Sequence, residues 1–173
     1  MFILNKNKHF NKVIEDLFNM AMADIRELNI LLTSCGAKQL IEKDKEKFVT
    51  VSFLYVLFFQ ECALQKKYFP KYKRETSAVL DAMLSQIAER FHYEPQKLTA
   101  IYLDVRKMLD ELSNDAEVIK VGLYYGVAVH FLQYAFSGEY NIENSIYDDD
   151  TPYVRVGQFF QEVVNSVTAY LHG

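Results

Sequence analysis

Cysteine is scarce in this chain, and tryptophan is missing altogether. Two thiols, Cys35 and Cys62, are too few for a disulfide framework, and too few for a zinc site without help from histidines. They read as reduced thiols of an intracellular protein. Proline is equally sparse. Pro70, Pro95 and Pro152 are the whole set, and each falls where a helical pattern breaks. Positive charge is not in excess: the formal net charge is −4, which argues against a uniformly basic nucleic-acid-binding surface.

Catalytic signatures are lacking too. There is no glycine-rich phosphate loop, no Gly-x-Ser-x-Gly elbow and no His-Glu-x-x-His. Glu89-Arg90-Phe91-His92 supplies a single Glu-x-x-His, where a di-iron bundle needs a second copy and two further inward glutamates. Asp148-Asp149-Asp150 lacks the turn glycine and closing glutamate of a calcium loop. No metal and no cofactor are expected. The apolar start, Met1–Leu4, precedes Lys6 and Lys8, the reverse of a signal peptide's order. No repeat of fixed period is visible.

What the chain does have is apolar bulk. It has 173 residues, half of them hydrophobic, enough for one domain (residues 1–173) to bury a core unaided. The richest stretch is Phe48–Phe59, interrupted by polar side chains only at Thr50 and Ser52. It shows neither a one-sided stripe nor strict alternation, so it is expected to be buried on every side. Its β-branched and aromatic content would also suit a strand. Helix is preferred because the run continues to Gln65, holds no turn residue and meets no partner strand elsewhere. It is about half the length of a bilayer span and has charged flanks, so the chain reads as soluble and cytoplasmic.

The remaining pattern is helical. Phe10–Ser34 carries an apolar face and stops at Gly36. Ala37–Lys47, with its mixed charges, reads as a solvated turn or a first helical turn. Thr76–His92 starts on a plausible N-cap, and Pro95 opens a helix through Leu112. Asn114 and Glu117 resemble a capping box for a second strongly apolar helix, about Asp115–Ser137, in which Gly122 and Gly126 could form a groove for close helix approach. Thr151-Pro152 begins the last helix, which runs to about Leu171. The expectation is an all-α single-domain bundle of about six helices around two central ones, about 48–65 and 116–137.

Three surfaces compete for function. The first is Glu139–Thr151, with Glu139, Glu143, Asp148, Asp149 and Asp150, no Lys or Arg, and Tyr140, Tyr147 and Tyr153 alongside. Tyrosine gives large contact area at low entropy cost, and clustered carboxylates attract a basic partner over long range. A loop of this length in a compact domain is functional or disordered. This favours a small protein-binding protein, an inhibitor or immunity protein that neutralises a basic protein partner such as a nuclease toxin, rather than an enzyme. The second is Lys66, Lys67, Tyr68, Lys71, Tyr72, Lys73 and Arg74, where bases could stack on rings and phosphates meet cations. One short patch on an acidic chain is the weaker signal. The third is a pocket of Glu61, His130 and Tyr134, formed if the two apolar helices lie side by side and the acid meets the imidazole. A histidine satisfied within the core is the plainer reading of His130.

Overall fold

The computed structural model describes the backbone of residues 2–68, 73–116, 122–140 and 152–172, and the side chains of 11–65, 77–116, 122–140 and 152–172. Among the described residues every regular element is a helix: α1 Phe2–Ser34, α2 Lys38–Lys43, α3 Lys45–Tyr68, α4 Lys73–Phe91, α5 Pro95–Asn114, α6 Leu123–Ala135 and α7 Pro152–His172. The chain is an all-α bundle whose buried side chains form one cluster.

α3 is its axis. Phe48, Val51, Phe53, Leu54, Tyr55, Val56, Leu57 and Phe59 are all buried, because α1, α4, α5, α6 and α7 all pack on this helix. Lys45–Gln65 has the length and hydropathy of a membrane span, yet 78% of its most apolar window is covered by the protein itself. Its apolar surface is spent on neighbouring helices, as in the core of a soluble protein.

Phe160 of α7 packs on Tyr55 and Phe59 of α3 and on Phe131 of α6, with ring centroids 5.9, 5.0 and 5.4 Å away. The partner of α3 in the centre is therefore chiefly α7, not α6 as the composition of 116–137 had implied. α6 is buried along one face only, through Val127, Ala128, Phe131, Leu132 and Ala135, while Leu123 and Tyr134 are exposed.

The helix ends explain most differences from the sequence expectation. Gly36 (φ 84°) ends α1 as expected, with Ala37 N–H bonded back to Leu32. Beyond it, Lys38–Lys43 is a separate short helix held by Ala37 and Ile41 in the core, and Lys45–Lys47 is the first turn of α3. α4 begins at Lys73, a turn ahead of Thr76, and ends with His92 in a left-handed conformation (φ 57°). The expected helix from Asp115 does not run through Gly122. That residue sits at φ 113°, outside the helical region, and α6 starts after it. The Asn114 side-chain amide donates back to the Asp110 carbonyl. Glu117 lies outside the described residues.

Close helix approach occurs at Gly157 rather than at Gly122. A Cβ on Gly157 would stand 3.0 Å from the Tyr124 carbonyl oxygen, whereas one on Gly122 would meet nothing within 4 Å.

Candidate functional site

The acidic segment leaves the bundle at the end of α6. There Ser137 and Gly138 both adopt positive φ, and the Gly138 N–H closes on the Gln133 carbonyl at 2.8 Å. The turn directs Glu139 toward α2, where Lys43 Nζ donates to both carboxylate oxygens at 2.7 Å. Both side chains are exposed, so the pair fixes geometry more than it adds stability.

Tyr140 follows and turns inward. Its ring stacks on Phe136 at 5.6 Å, and its hydroxyl donates to the Cys35 carbonyl at 3.4 Å. Burial, and then the neighbouring Cys35, push its phenol up. At the far end, Tyr153 is 1% exposed, its ring against Tyr125 and Tyr140 at 6.0 and 6.2 Å. Burial first, then Tyr140 and Tyr125, push its phenol up to about 12. Its buried hydroxyl has no hydrogen-bond partner among the described residues. Arg155 places Nη1 3.5 Å from Cys35 Sγ, so Cys35, just past the end of α1, is touched from Tyr140 and from the start of α7. Tyr140 and Tyr153 thus bring the two ends of segment 141–151 together. Of the candidate contact residues, Glu139 is at the surface and Tyr140 is half-buried. Tyr153 is a core anchor, not a contact. Glu143, Tyr147, Asp148, Asp149 and Asp150 lie outside the described residues.

In the basic stretch, Lys66, Lys67 and Tyr68 end α3 and Lys73 and Arg74 begin α4. Their side chains, and Lys71 and Tyr72 entirely, lie outside the described residues.

Glu61 and His130 do not form the pocket that the sequence allowed. The apolar helices do lie side by side, but antiparallel: Phe48 stacks on Phe136, Tyr55 meets Phe131, and Phe59 stacks on Tyr124. His130 therefore sits at the level of Tyr55, six residues before Glu61, or about 9 Å along the helix axis.

Each group has its own partners. The Tyr55 hydroxyl lies 2.9 Å from His130 Nδ1. Burial lowers the basicity of His130 and, with Tyr134 nearby, pushes the Tyr55 phenol far up. The imidazole is thus neutral and the phenol protonated, and the two share one hydrogen bond through Nδ1. Tyr134, one turn on, is 38% exposed, with Lys47 Nζ 5.8 Å above its ring.

Glu61, 3% exposed, faces α5 instead. It accepts from Tyr102 at 2.5 Å and from Gln65 at 2.7 Å, and Arg106 Nη1 pairs with it at 3.0 Å. The Tyr102 phenol is pushed far up by burial and by the Glu61 charge. With three donors, this buried carboxylate is fully engaged. Nothing in the sequence pattern marked Tyr102 or Arg106 as its partners, since they lie on a different helix. Comparison of the chain with protein-family models, curated proteins and solved structures finds no match.

Proposed function

We propose that the protein is a cytoplasmic inhibitor or immunity protein that neutralises a basic partner, such as a nuclease toxin, through the Glu139–Asp150 surface. The acidic segment would cover the partner surface that binds the nucleic-acid phosphates. One observation carries this reading: twelve consecutive residues hold five carboxylates and no Lys, Arg or His. Such a single-signed surface accelerates encounter with a cationic partner and rejects anionic ones.

Two structural features support it. The segment's ends are rooted in a rigid bundle, by Glu139 on Lys43 and by Tyr140 on Tyr153, which lowers the ordering cost of binding. The competing acid–imidazole pocket loses its premise, because Glu61 and His130 are occupied by different partners.

A growth assay tests the proposal. Cells expressing a nuclease toxin encoded beside this gene should recover when the chain is co-expressed. Asp148→Asn, Asp149→Asn and Asp150→Asn together should weaken protection and lower affinity at low salt about tenfold or more. A wild-type chain that leaves such toxins fully active overturns the proposal.

A further inference from the structure

A cleft of about 330 Å³ opens beside the first turn of α3, between the α4–α5 connection and α6. That volume is at the small end for cavities that take whole ligands, and it suits a single side chain. Its floor is apolar, made by Val51 and Ile101, and its walls are the rings of Tyr93 and Tyr134. Two carboxylates, Asp44 and Glu46, and one ammonium, Lys47, complete the lining. Asp44 is already engaged, since its Oδ1 accepts the Lys47 N–H at 3.0 Å and so caps α3. Glu46 is exposed and pairs with no cation among the described residues, and its carboxylate faces the Tyr93 phenol as a hydrogen-bond partner.

The cleft is electrostatically directed. Burial, then the Glu46 and Asp44 carboxylates, push the Tyr93 phenol up, although a bond from Thr50 at 2.8 Å opposes the change. Lys47 already places a cation on the Tyr134 face, its ammonium 5.8 Å from the ring centroid and donating to Ser137 Oγ at 2.6 Å, so a second cation would take the Tyr93 side of the cleft. A smaller hollow shares Asp44 and Lys47 with the cleft and reaches Glu139, the first residue of the acidic segment. The two surfaces are therefore continuous.

We infer that this cleft receives an arginine side chain of the basic partner. The guanidinium would pair with Glu46 and stack on tyrosine, while the aliphatic stem covers Val51 and Ile101. Arginine fits better than lysine because its planar head both stacks and forks onto a carboxylate. The inference rests on the proposed basic partner and adds a specificity pocket beside the acidic segment.

The test is an NMR titration of the isotope-labelled full chain with N-acetyl-arginine amide, and with the uncharged citrulline analogue as control. The expected result is saturable shifts at Thr50, Val51, Tyr93 and Tyr134 for arginine alone. Glu46→Gln, an exposed change that should leave the fold intact, should weaken binding about fivefold. The Asp148–Asp150 triple asparagine variant should still bind the arginine amide, which separates failure of the cleft from failure of the acidic segment. Shifts that do not saturate, that citrulline reproduces, or that Glu46→Gln leaves unchanged overturn the inference.

Discussion

Tyr102 donates to Glu61 across 2.5 Å and, with Arg106 one turn further along α5, fixes the register of α5 against α3. Glu61 sits where an apolar helix would otherwise continue, so its charge is tolerated only because three donors surround it. Tyr102→Phe should cost about 1–2 kcal/mol, the worth of a hydrogen bond to a charged group. Glu61→Ala should cost about 3 kcal/mol, since it strands the Tyr102 hydroxyl and opens a void. Combining Glu61→Leu with Tyr102→Phe should cost less than the sum of the single changes, because both ends of the bond leave together. Arg106 is partly exposed and can turn to water. Urea unfolding measures all of these, and a Tyr102→Phe protein as stable as wild type would refute the assignment.

Asp24 is the opposite case. One of its carboxylate oxygens is buried without a hydrogen-bond partner among the described residues. Burial, and then Glu27, raise its pKa from 3.8 to about 6. A raised carboxyl favours the folded state while protonated, so the benefit is complete below pH 3.8 and is lost as pH rises through about 6. At pH 7 and above the ionised group is therefore a cost. Asp24→Asn should stabilise the protein there by about 1–2 kcal/mol, after discounting for partial exposure, and the gain should shrink toward acid pH. Melting curves across this range check the sign: a variant less stable than wild type in mild alkali contradicts it.

His130 contributes a slope of the other direction. Its basicity is lowered by burial, so folding favours the neutral ring. That stability is present above the unfolded value of 6.5 and falls away as pH drops through the folded value. Protonation leaves both ring nitrogens as donors, so Nδ1 can then only donate to the Tyr55 hydroxyl. His130→Asn, whose amide can hydrogen-bond Tyr55 in place of Nδ1, should remove the acid-side slope and change neutral-pH stability by no more than about 1 kcal/mol. An unchanged slope would show that another group is titrating.

Gly157→Ala sets two effects against each other. Alanine improves helix propensity by about 1 kcal/mol. Its Cβ, however, would press on the Tyr124 backbone at 3.0 and 3.1 Å, and backbone cannot swing aside as a side chain can. Overpacking of this kind costs about 1–3 kcal/mol, so a net loss of stability is expected. A gain in melting temperature would show that α6 shifts without penalty.

The core was legible in the sequence because apolar density is a property of composition. Phe48–Phe59 announced a helix buried all round, and α1, α5 and α7 announced themselves by one-sided stripes. Backbone conformation at single residues was not legible. Gly122 reads as a small residue inside an apolar helix, and only its φ of 113° shows that the helix begins after it. Register between helices was equally hidden. Glu61 and His130 are both on inward-facing parts of helices, but the antiparallel pairing of Phe48 with Phe136 and Phe59 with Tyr124 sends them to different neighbours. The acidic segment could be read as a charge pattern. The inward turn of Tyr153 could not, since tyrosine suits a rim as well as a core.

Binding of a basic protein to the acidic segment is measured most directly by affinity capture from native-host lysate. The full chain is immobilised beside the Asp148–Asp150 triple asparagine variant, and both are washed at about 50 mM and about 300 mM salt. A strongly basic protein should be retained at the lower salt, released at the higher, and not retained by the variant. Retention of the same protein by both chains, with no response to salt, would contradict this reading.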